Sequence, residues 1–266
     1  MNSPTYRLAV EDVEFLKGPE LRPLRMELEL LKCEMLMDKA EIESTIVVFG
    51  GTQIVEIHEA EERLKAAEEQ LAASPDDPSC KRAVSRAKRN IAKARFYDDA
   101  REFSKIVSAE SQANDRIEFV VATGGGPGIM EAANRGADEI GAKSIGFNIT
   151  LPHEQTPNPY ITPELCFQFQ YFAIRKMHFL LRAMGLVVFP GGFGTLDELF
   201  CTLTLRQTKR MQEIPIIMYG SEYWKNVINF QFLADEGVIA DSHLDLIDFV
   251  DTPEEAWNTI KKFHNL

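Results

Sequence analysis

The chain has 266 residues, of which 45% are hydrophobic and 26% charged, and its formal net charge is −12. This length and composition predict a globular protein with a sizeable core. A negative field repels phosphates at long range, which argues against non-specific binding to nucleic acid or to an acidic membrane surface. No apolar run is long enough to predict a transmembrane helix.

The cysteines and histidines give no sign of a disulfide framework or a metal site. The four cysteines are scattered without C-x-x-C spacing, and no secretory signal is recognised, so a reduced cytoplasmic protein is expected. The five histidines form neither H-E-x-x-H nor a tight cluster. The sequence therefore predicts no metal and no cofactor.

Residues 1–43 are predicted to form an N-terminal helical extension. Between Pro23 and Ile42, five apolar residues recur at helical spacing: Leu24, Leu28, Leu31, Met35 and Leu36. This helix is expected to pack either on the main domain or on another subunit.

The first strand is predicted at Thr45–Phe49, a run of β-branched and aromatic residues. The residues that follow, Gly50, Gly51 and Thr52, are expected to contribute a loop to a ligand crevice. Residues 54–93 predict an inserted helical hairpin, with an acidic first arm, a Pro-containing turn and a basic second arm. Because the two arms offset each other's charge, a structural role is favoured over nucleic-acid binding. The hairpin is expected to be dispensable for chemistry.

The helix at 94–107 is predicted to cover the sheet, and a strand at 118–122 leads into a glycine loop. That loop, Thr123–Glu131, has three contiguous glycines, so it differs from G-x-G-x-x-G, and it lacks the lysine of a P-loop. A helix at 129–140 and a strand at 143–149 follow. The Pro-rich segment 151–163 contains Glu154, Gln155 and Asn158, and it is expected to be either a substrate rim or a plain connection.

A second glycine loop follows in the second half of the chain. A strand at 165–169 and a helix at 172–183 precede an apolar strand at 186–189, which runs into Pro190–Thr195 and then a helix. Free N–H groups at the start of that helix, with Thr195 as its cap and hydroxyl donor, predict a phosphate site. Asp197 and Glu198 lie just inside the helix.

The remaining elements complete an alternation of strands and helices. A strand at 214–219, a helix at 221–236, a strand at 246–250 and a helix at 253–264 are predicted. Such alternation predicts an α/β fold, a doubly wound parallel sheet of the Rossmann-like type, as one domain over residues 44–266. Two phosphate-type loops at the carboxyl ends of its strands favour a shared ligand crevice.

Between residues 46 and 223 the motifs resemble the LOG (lonely guy) family of nucleoside 5′-monophosphate phosphoribohydrolases. The resemblance is carried by Thr123–Glu131, Arg175-Lys176 and the Pro-Gly-Gly-x-Gly-Thr-x-x-Glu signature at 190–198. Members were long labelled lysine decarboxylases, but the sequence has no recognisable pyridoxal-phosphate lysine setting. The resemblance implies that Arg175 and Glu198 are catalytic. It implies substrate binding by Gly50, Gly51, Gly124, Gly125, Gly126, Gly128, Met130, Glu131, Lys176, Pro190, Gly191, Gly192, Gly194 and Thr195.

The predicted activity is hydrolysis of the N-glycosidic bond of a purine nucleoside 5′-monophosphate, which releases the base and ribose 5-phosphate. The resemblance implies AMP or a cytokinin riboside 5′-monophosphate as substrate. The alternative is a non-catalytic nucleotide-binding or sensor protein that uses the same loops. The presence of both Arg175 and Glu198 favours the enzyme.

The resemblance also implies a homodimer or a higher oligomer. Apolar residues on the helices around Arg175 and after Pro190 agree with this: Phe179, Leu180, Ala183, Leu196, Leu199, Phe200 and Leu203. The expected partners are therefore a small nucleotide and further copies of the chain.

Overall fold

A computed structural model describes residues 3–112, 117–151 and 156–266. Its strands are β1 (Thr45–Phe49), β2 (Val120–Thr123), β3 (Ser144–Ile149), β4 (Cys166–Phe169), β5 (Ala183–Val188), β6 (Ile216–Tyr219) and β7 (Ile247–Val250). Its helices are α1 (Val13–Leu16), α2 (Arg22–Lys39), α3 (Ile57–Ala73), α4 (Pro78–Lys93), α5 (Arg95–Ser111), α6 (Ile129–Asp138), α7 (Phe172–Leu181), α8 (Phe193–Gln207), α9 (Ser221–Val227), α10 (Phe230–Asp235) and α11 (Pro253–His264).

The strands form one parallel sheet in the order β4-β3-β2-β1-β5-β6-β7. The chain builds β1 to β4 outwards in one direction and then returns to place β5 on the other side of β1. The strand order therefore reverses between β1 and β5, and a ligand crevice is expected beyond their carboxyl ends. The predicted α/β, doubly wound parallel sheet is confirmed, with its helical hairpin and N-terminal helix.

Helices cover both faces of the sheet, and β1 shows why its sequence is apolar throughout. Its successive side chains point to opposite faces. Val47 and Phe49 join one hydrophobic cluster, whereas Ile46 and Val48 join the other. A strand buried on both faces has no polar side to present, which is typical of parallel sheets.

Helix α2 packs on the same domain, against α7. Arg182, just after α7, donates to the carboxylates of Glu34 (2.8 Å) and Asp38 (2.5 Å). The Glu29 carboxylate accepts the backbone N–H groups of Gln170 and Tyr171 (2.9 and 3.0 Å), immediately before α7 begins. The N-terminal helix therefore holds α7 at both of its ends.

The apolar stripe predicted on this helix is mostly not the face that packs. Leu24, Leu28, Leu31 and Met35, here called the outer stripe, are exposed by 40 to 66%. Cys33 and Met37 are buried in the domain core instead. Apolar residues lie on two sides of the helix. The spacing used to predict the helix followed the side that faces outwards, not the side that packs on the domain.

The helical hairpin is held together mainly by apolar side chains. Ala67 of α3 contacts Val84 and Ala87 of α4 in a small cluster. The Asp77 side chain caps α4 by accepting the N–H of Ser79 (2.8 Å). Among the described residues, the ion pair between Lys88 and Glu68 (3.8 Å) joins the two arms. An exposed pair of this kind adds little stability.

The helices predicted at 221–236 and 172–183 have different bounds in the structure. The helix predicted at 221–236 is divided into α9 and α10, because Ile228 is extended and the Asn229 side chain caps a new helix by accepting the N–H of Phe232 (3.0 Å). The helix predicted at 172–183 ends at Leu181, since Ala183 already belongs to β5.

Three of the apolar residues expected to favour assembly are part of the core instead. Phe179, Ala183 and Leu199 are fully buried within one subunit. Phe200 on α8 is 41% exposed. Other exposed apolar side chains lie on α7, and they are Phe172, Met177 and Leu181.

Candidate active site

Three glycine-containing loops meet at the carboxyl edge of the sheet. The N–H of Gly51, after β1, donates to the carbonyl of Pro190, after β5 (2.9 Å). The carbonyl of Gly51 accepts the N–H of Ile129, at the start of α6 (3.3 Å). One residue therefore ties the loop after β1 to the loops after β5 and β2.

These loops border a cleft of about 360 Å³, a volume within the range of small-molecule sites. Nine residues of the predicted site line it: Gly50, Gly51, Gly124, Met130, Arg175, Gly192, Gly194, Thr195 and Glu198. Asp197, next to Glu198, lines it as well. The cleft therefore contains both residues that the resemblance implies to be catalytic.

Helix α8 begins earlier than the sequence suggested. It begins at Phe193, with Gly192 as its N-cap, so the expectation that Thr195 caps the helix is wrong. Thr195 is the third residue of the first turn, and its side chain is 7% exposed at the cleft. The first N–H groups of a helix have no intrahelical acceptor, so this turn presents donors to the cleft.

Arg175 lies in the first turn of α7, where its side chain is fixed by neighbours. Its Nε donates to the carbonyl of Phe147 (2.7 Å), and its guanidinium lies 5.0 Å from the ring centroid of Phe179. Burial lowers the pKa of Arg175, and this effect is larger than the opposing effect of the Glu198 charge, which raises it. Arginine nevertheless stays charged at neutral pH.

Glu198 is buried, with 8% of its surface exposed. Its burial raises the pKa of the carboxyl, the charges of Lys176 and Arg175 lower it, and Asp197 raises it further. Arg175 and Glu198 form no ion pair with each other in the described part of the chain. A ligand between them therefore meets two charges that are not already neutralised by one another.

Asp197 has a different environment from Glu198. Its side chain is 58% exposed and pairs with Lys176 at 2.6 Å. Burial lowers the pKa of Lys176, but the contacts with Asp197 and Glu198 outweigh this and raise it. Both acids line the cleft. Lys176 itself lines a neighbouring apolar cleft between α7 and α8.

The other predicted substrate-binding residues lie around the cleft and do not line it. The Glu131 carboxylate accepts the hydroxyl of Tyr97 (2.8 Å), which directs it towards α5. Pro190 and Gly191 border a second cleft, behind the loops. The remaining three, Gly125, Gly126 and Gly128, form the turn after β2.

A buried polar network supports that turn. Asn134 Oδ1 accepts the hydroxyl of Thr123 (2.7 Å) and the amide of Asn158 (3.0 Å). The amide of Asn158 also donates to the carbonyl of Gly126 (3.1 Å), and the N–H of Gly125 donates to Thr123 Oγ1 (2.9 Å). Asn158 therefore supports the glycine loop from below. The Glu154 and Gln155 of the same predicted rim lie outside the described residues.

Sequence reasoning missed the aromatic walls of the cleft. Phe49, Phe172, Phe179 and Phe193 line it. Phe172 and Phe179 are three residues before and four after Arg175, which places all three on one face of a helix. That spacing can be read from the sequence, and it would have indicated that Phe172 and Phe179 lie beside Arg175.

Neither a metal site nor a membrane span is found in residues 3–112, 117–151 and 156–266. No group of three or more His, Cys, Asp or Glu side chains there is arranged to hold a metal ion. None of the helices there is both long and apolar enough to cross a membrane.

The model of the family described as "Possible lysine decarboxylase" matches residues 130–260. This match covers the Arg175 and Glu198 motifs and begins at Met130, near the end of the second glycine loop. This match agrees with the resemblance of the chain's motifs to the LOG family. No curated protein matches the sequence.

Several solved structures are similar to the chain. The molybdenum cofactor binding protein from the phototrophic bacterium Rippkaea orientalis is 16% identical, with 83% of this chain and 97% of that chain covered and a TM-score of 0.49. The structural-genomics target TM1055 is 18% identical over 82% and 99%, with a TM-score of 0.46. The Moco carrier protein from Chlamydomonas reinhardtii is 20% identical over 65% and 90%, with a TM-score of 0.45.

Replacement of Gly128 should separate steric contact between the loops from backbone strain. Gly128 and Gly141 have nearly equal positive φ angles, 74° and 71°. A Cβ at Gly128 would lie 2.5 Å from the carbonyl oxygen of Gly51, whereas one at Gly141 would meet nothing within 4 Å. Gly141→Ala should cost about 1–2 kcal/mol of unfolding free energy. Gly128→Ala should cost roughly 1–3 kcal/mol more.

Urea unfolding of both variants measures this difference. Equal losses at the two positions would contradict the steric packing of Gly128 on the loop after β1.

Proposed function

We propose that the protein hydrolyses the N-glycosidic bond of a purine nucleoside 5′-monophosphate, with release of the free base and ribose 5-phosphate. The match to the family model supports the coarser class of phosphoribohydrolase-like proteins. The observation that carries the proposal is the buried Glu198 carboxylate, in one cleft with Arg175 and the first turn of α8. The four cysteines are free, which agrees with a cytoplasmic enzyme.

The phosphate of the nucleotide would bind at the first turn of α8. Backbone N–H groups there, with the hydroxyl of Thr195, supply donors without requiring a large positive charge. This matters in a chain of net charge −12, because long-range electrostatics oppose the approach of an anion. Capture by local dipoles, with Arg175 as a nearby cation, offsets that repulsion.

Glu198 would stabilise the transition state. Cleavage of the bond builds positive charge on the ribose ring, and a carboxylate held in a water-poor site stabilises such an oxocarbenium-like species. Arg175 would orient the nucleotide or the Glu198 carboxylate. It is a poor proton donor because its pKa is so high.

The base would lie between aromatic side chains. Phe172 and Phe193 are 50% and 92% exposed at the cleft, and flat rings of this kind suit contact with a planar base. We rank AMP first among the substrates, ahead of a cytokinin riboside 5′-monophosphate, because it is the commonest purine monophosphate available. Base release from a panel of nucleoside monophosphates, followed by chromatography, tests this ranking.

Glu198→Gln should lower the turnover number roughly 10²-fold or more, while nucleotide binding survives. The amide keeps the size and hydrogen bonding of the side chain but removes the charge. Asp197→Asn is the matched control, and it should have the smaller effect because Asp197 is exposed and paired with Lys176. Single-turnover assays and calorimetric titration of AMP measure the two quantities.

A reversed order of the two variants would move the catalytic role to Asp197. Nucleotide binding without base release by the parent protein would support the sensor alternative. Arg175→Ala should lower turnover and weaken binding together, since it removes a cation facing an anionic ligand.

The pH profile should report the environment of Glu198. The ionised form is the active one, so kcat/KM should fall as pH drops through the raised pKa of this carboxyl. Lys176→Gln removes the largest charge that lowers this pKa, and it leaves Asp197 without its partner. The acidic limb should therefore move to higher pH.

Lys225→Gln is the control for this shift, because Lys225 lies on α9 against Phe249, at the β7 edge of the sheet. If the acidic limb of the pH profile is unchanged in Lys176→Gln and only KM is altered, Lys176 acts in binding alone.

We also propose that the chain forms a homodimer or a multiple of it. The outer stripe of α2 and the exposed apolar residues of α7 and α8 support this, since contiguous apolar surface favours association. Light scattering at micromolar concentration should give at least twice the monomer mass. A monomer under these conditions would remove the proposal.

A further inference from the structure

A second cleft, of about 340 Å³, lies behind the glycine loops. It shares Gly51, Thr52 and Gly192 with the first cleft, so the two are neighbours separated by these residues. Its other lining residues are Gln53, Ile54, Asn90, Lys93, Pro190, Gly191 and Tyr223. The inserted hairpin therefore contributes to this cleft through α4, whereas none of its residues lines the first cleft.

The lining of the second cleft includes a cation and no acid. Lys93 is half-buried there, and it forms no ion pair within the described residues. Burial lowers its pKa, as does the neighbouring charge of Arg89, and no carboxylate acts in the opposite direction. Lys88, on the same helix, is paired with Glu68. In a chain with 41 acidic residues, a half-buried lysine beside a cavity without acids is the charge arrangement expected of an anion site.

The backbone adds uncharged donors. Among the described residues, the N–H groups of Gly191 and Gly192 have no hydrogen-bond acceptor. The hydroxyl of Tyr223 donates to the carbonyl of Gly191 (2.7 Å), which holds this part of the loop in place. Successive free N–H groups in a turn, with a lysine lining the same cleft, suit a phosphate.

We propose that this second cleft binds a phosphate group, with Lys93 and Asn90 of the hairpin as side-chain ligands. The phosphate is either a separate effector anion or the distal phosphate of a ligand whose first phosphate occupies the neighbouring cleft. In both cases the hairpin, which adds nothing to the lining of the first cleft, adds the ligand side chains of the second.

Calorimetric titration with inorganic pyrophosphate tests the site directly, without reference to hydrolysis. Lys93→Ala should weaken pyrophosphate binding roughly tenfold or more, because a charge-assisted contact is lost. Lys93→Arg should retain most of the affinity. Lys81→Ala is the matched control: Lys81 is exposed on the same helix, and its Cα lies about 18 Å away along the axis at 1.5 Å per residue.

A second pair of titrations distinguishes the two sources of phosphate. They use the Glu198→Gln protein, in which nucleotide should be consumed far more slowly. If pyrophosphate still binds when AMP is saturating, the anion is a separate effector. If pyrophosphate competes with AMP, and ADP binds more tightly than AMP only while Lys93 is present, the ligand is extended. Failure of AMP to bind would count against the proposed function and leave the pyrophosphate comparison intact.

Equal pyrophosphate affinity in the parent, Lys93→Ala and Lys81→Ala proteins would overturn the proposal, as would no binding by the parent. Lys93 lies in the last turn of α4, where a cation also interacts favourably with the helix dipole. A lower thermal midpoint in Lys93→Ala with unchanged pyrophosphate affinity would assign the lysine to that role alone.

Discussion

Two hydrogen bonds that join Gly51 to the other loops are the constraint on which the crevice depends. Its N–H binds the loop after β5, and its carbonyl binds the start of α6 after β2. Gly128 packs directly against that carbonyl, at a distance that leaves no room for a side chain. The loops that follow three strands are therefore held in one place. Residues of these loops line both clefts.

An acidic protein that binds an anion must concentrate its positive potential locally. In the proposed sites this potential would come from the first turn of α8, from Arg175 in the first cleft and from Lys93 in the second. Glu198 shares the first cleft with Arg175, and its burial raises its pKa while the nearby cations oppose that rise. The cations proposed to bind the anion therefore also influence the protonation of the carboxylate.

Helix α7 connects the cleft to the N-terminal helix. Arg175 faces the cleft, and His178, on the following turn, is fully buried between Phe147 and Phe169 with its Nδ1 3.0 Å from the Glu34 carboxylate. Burial lowers the pKa of His178, whereas Glu34 raises it. With Arg182 bound to Glu34 and Asp38, α2 supports α7 along its length. The position of Arg175 thus depends on a helix that lies outside the family motifs.

The sequence by itself determined the strands, the glycine loops and the fold class. Apolar runs such as Thr45–Phe49 are buried on both faces, so their pattern does not depend on which neighbours they have. The glycine motifs identified the residues that surround one crevice, because parallel strands end at the same edge of a sheet. The catalytic roles of Arg175 and Glu198 stay predictions.

Tertiary structure alone decided which of several equivalent faces is buried. The apolar spacing of α2 predicted a helix. Because the helix is apolar on two sides, this spacing could not show that the outer stripe is the exposed side. The packing around the adjacent residues Asp197 and Glu198 makes the first an exposed ion pair and the second a buried carboxylate. Lys93 lies distant in the chain from Gly191 and is brought beside it by the return of α4 to the sheet. No local pattern contains such a long-range contact.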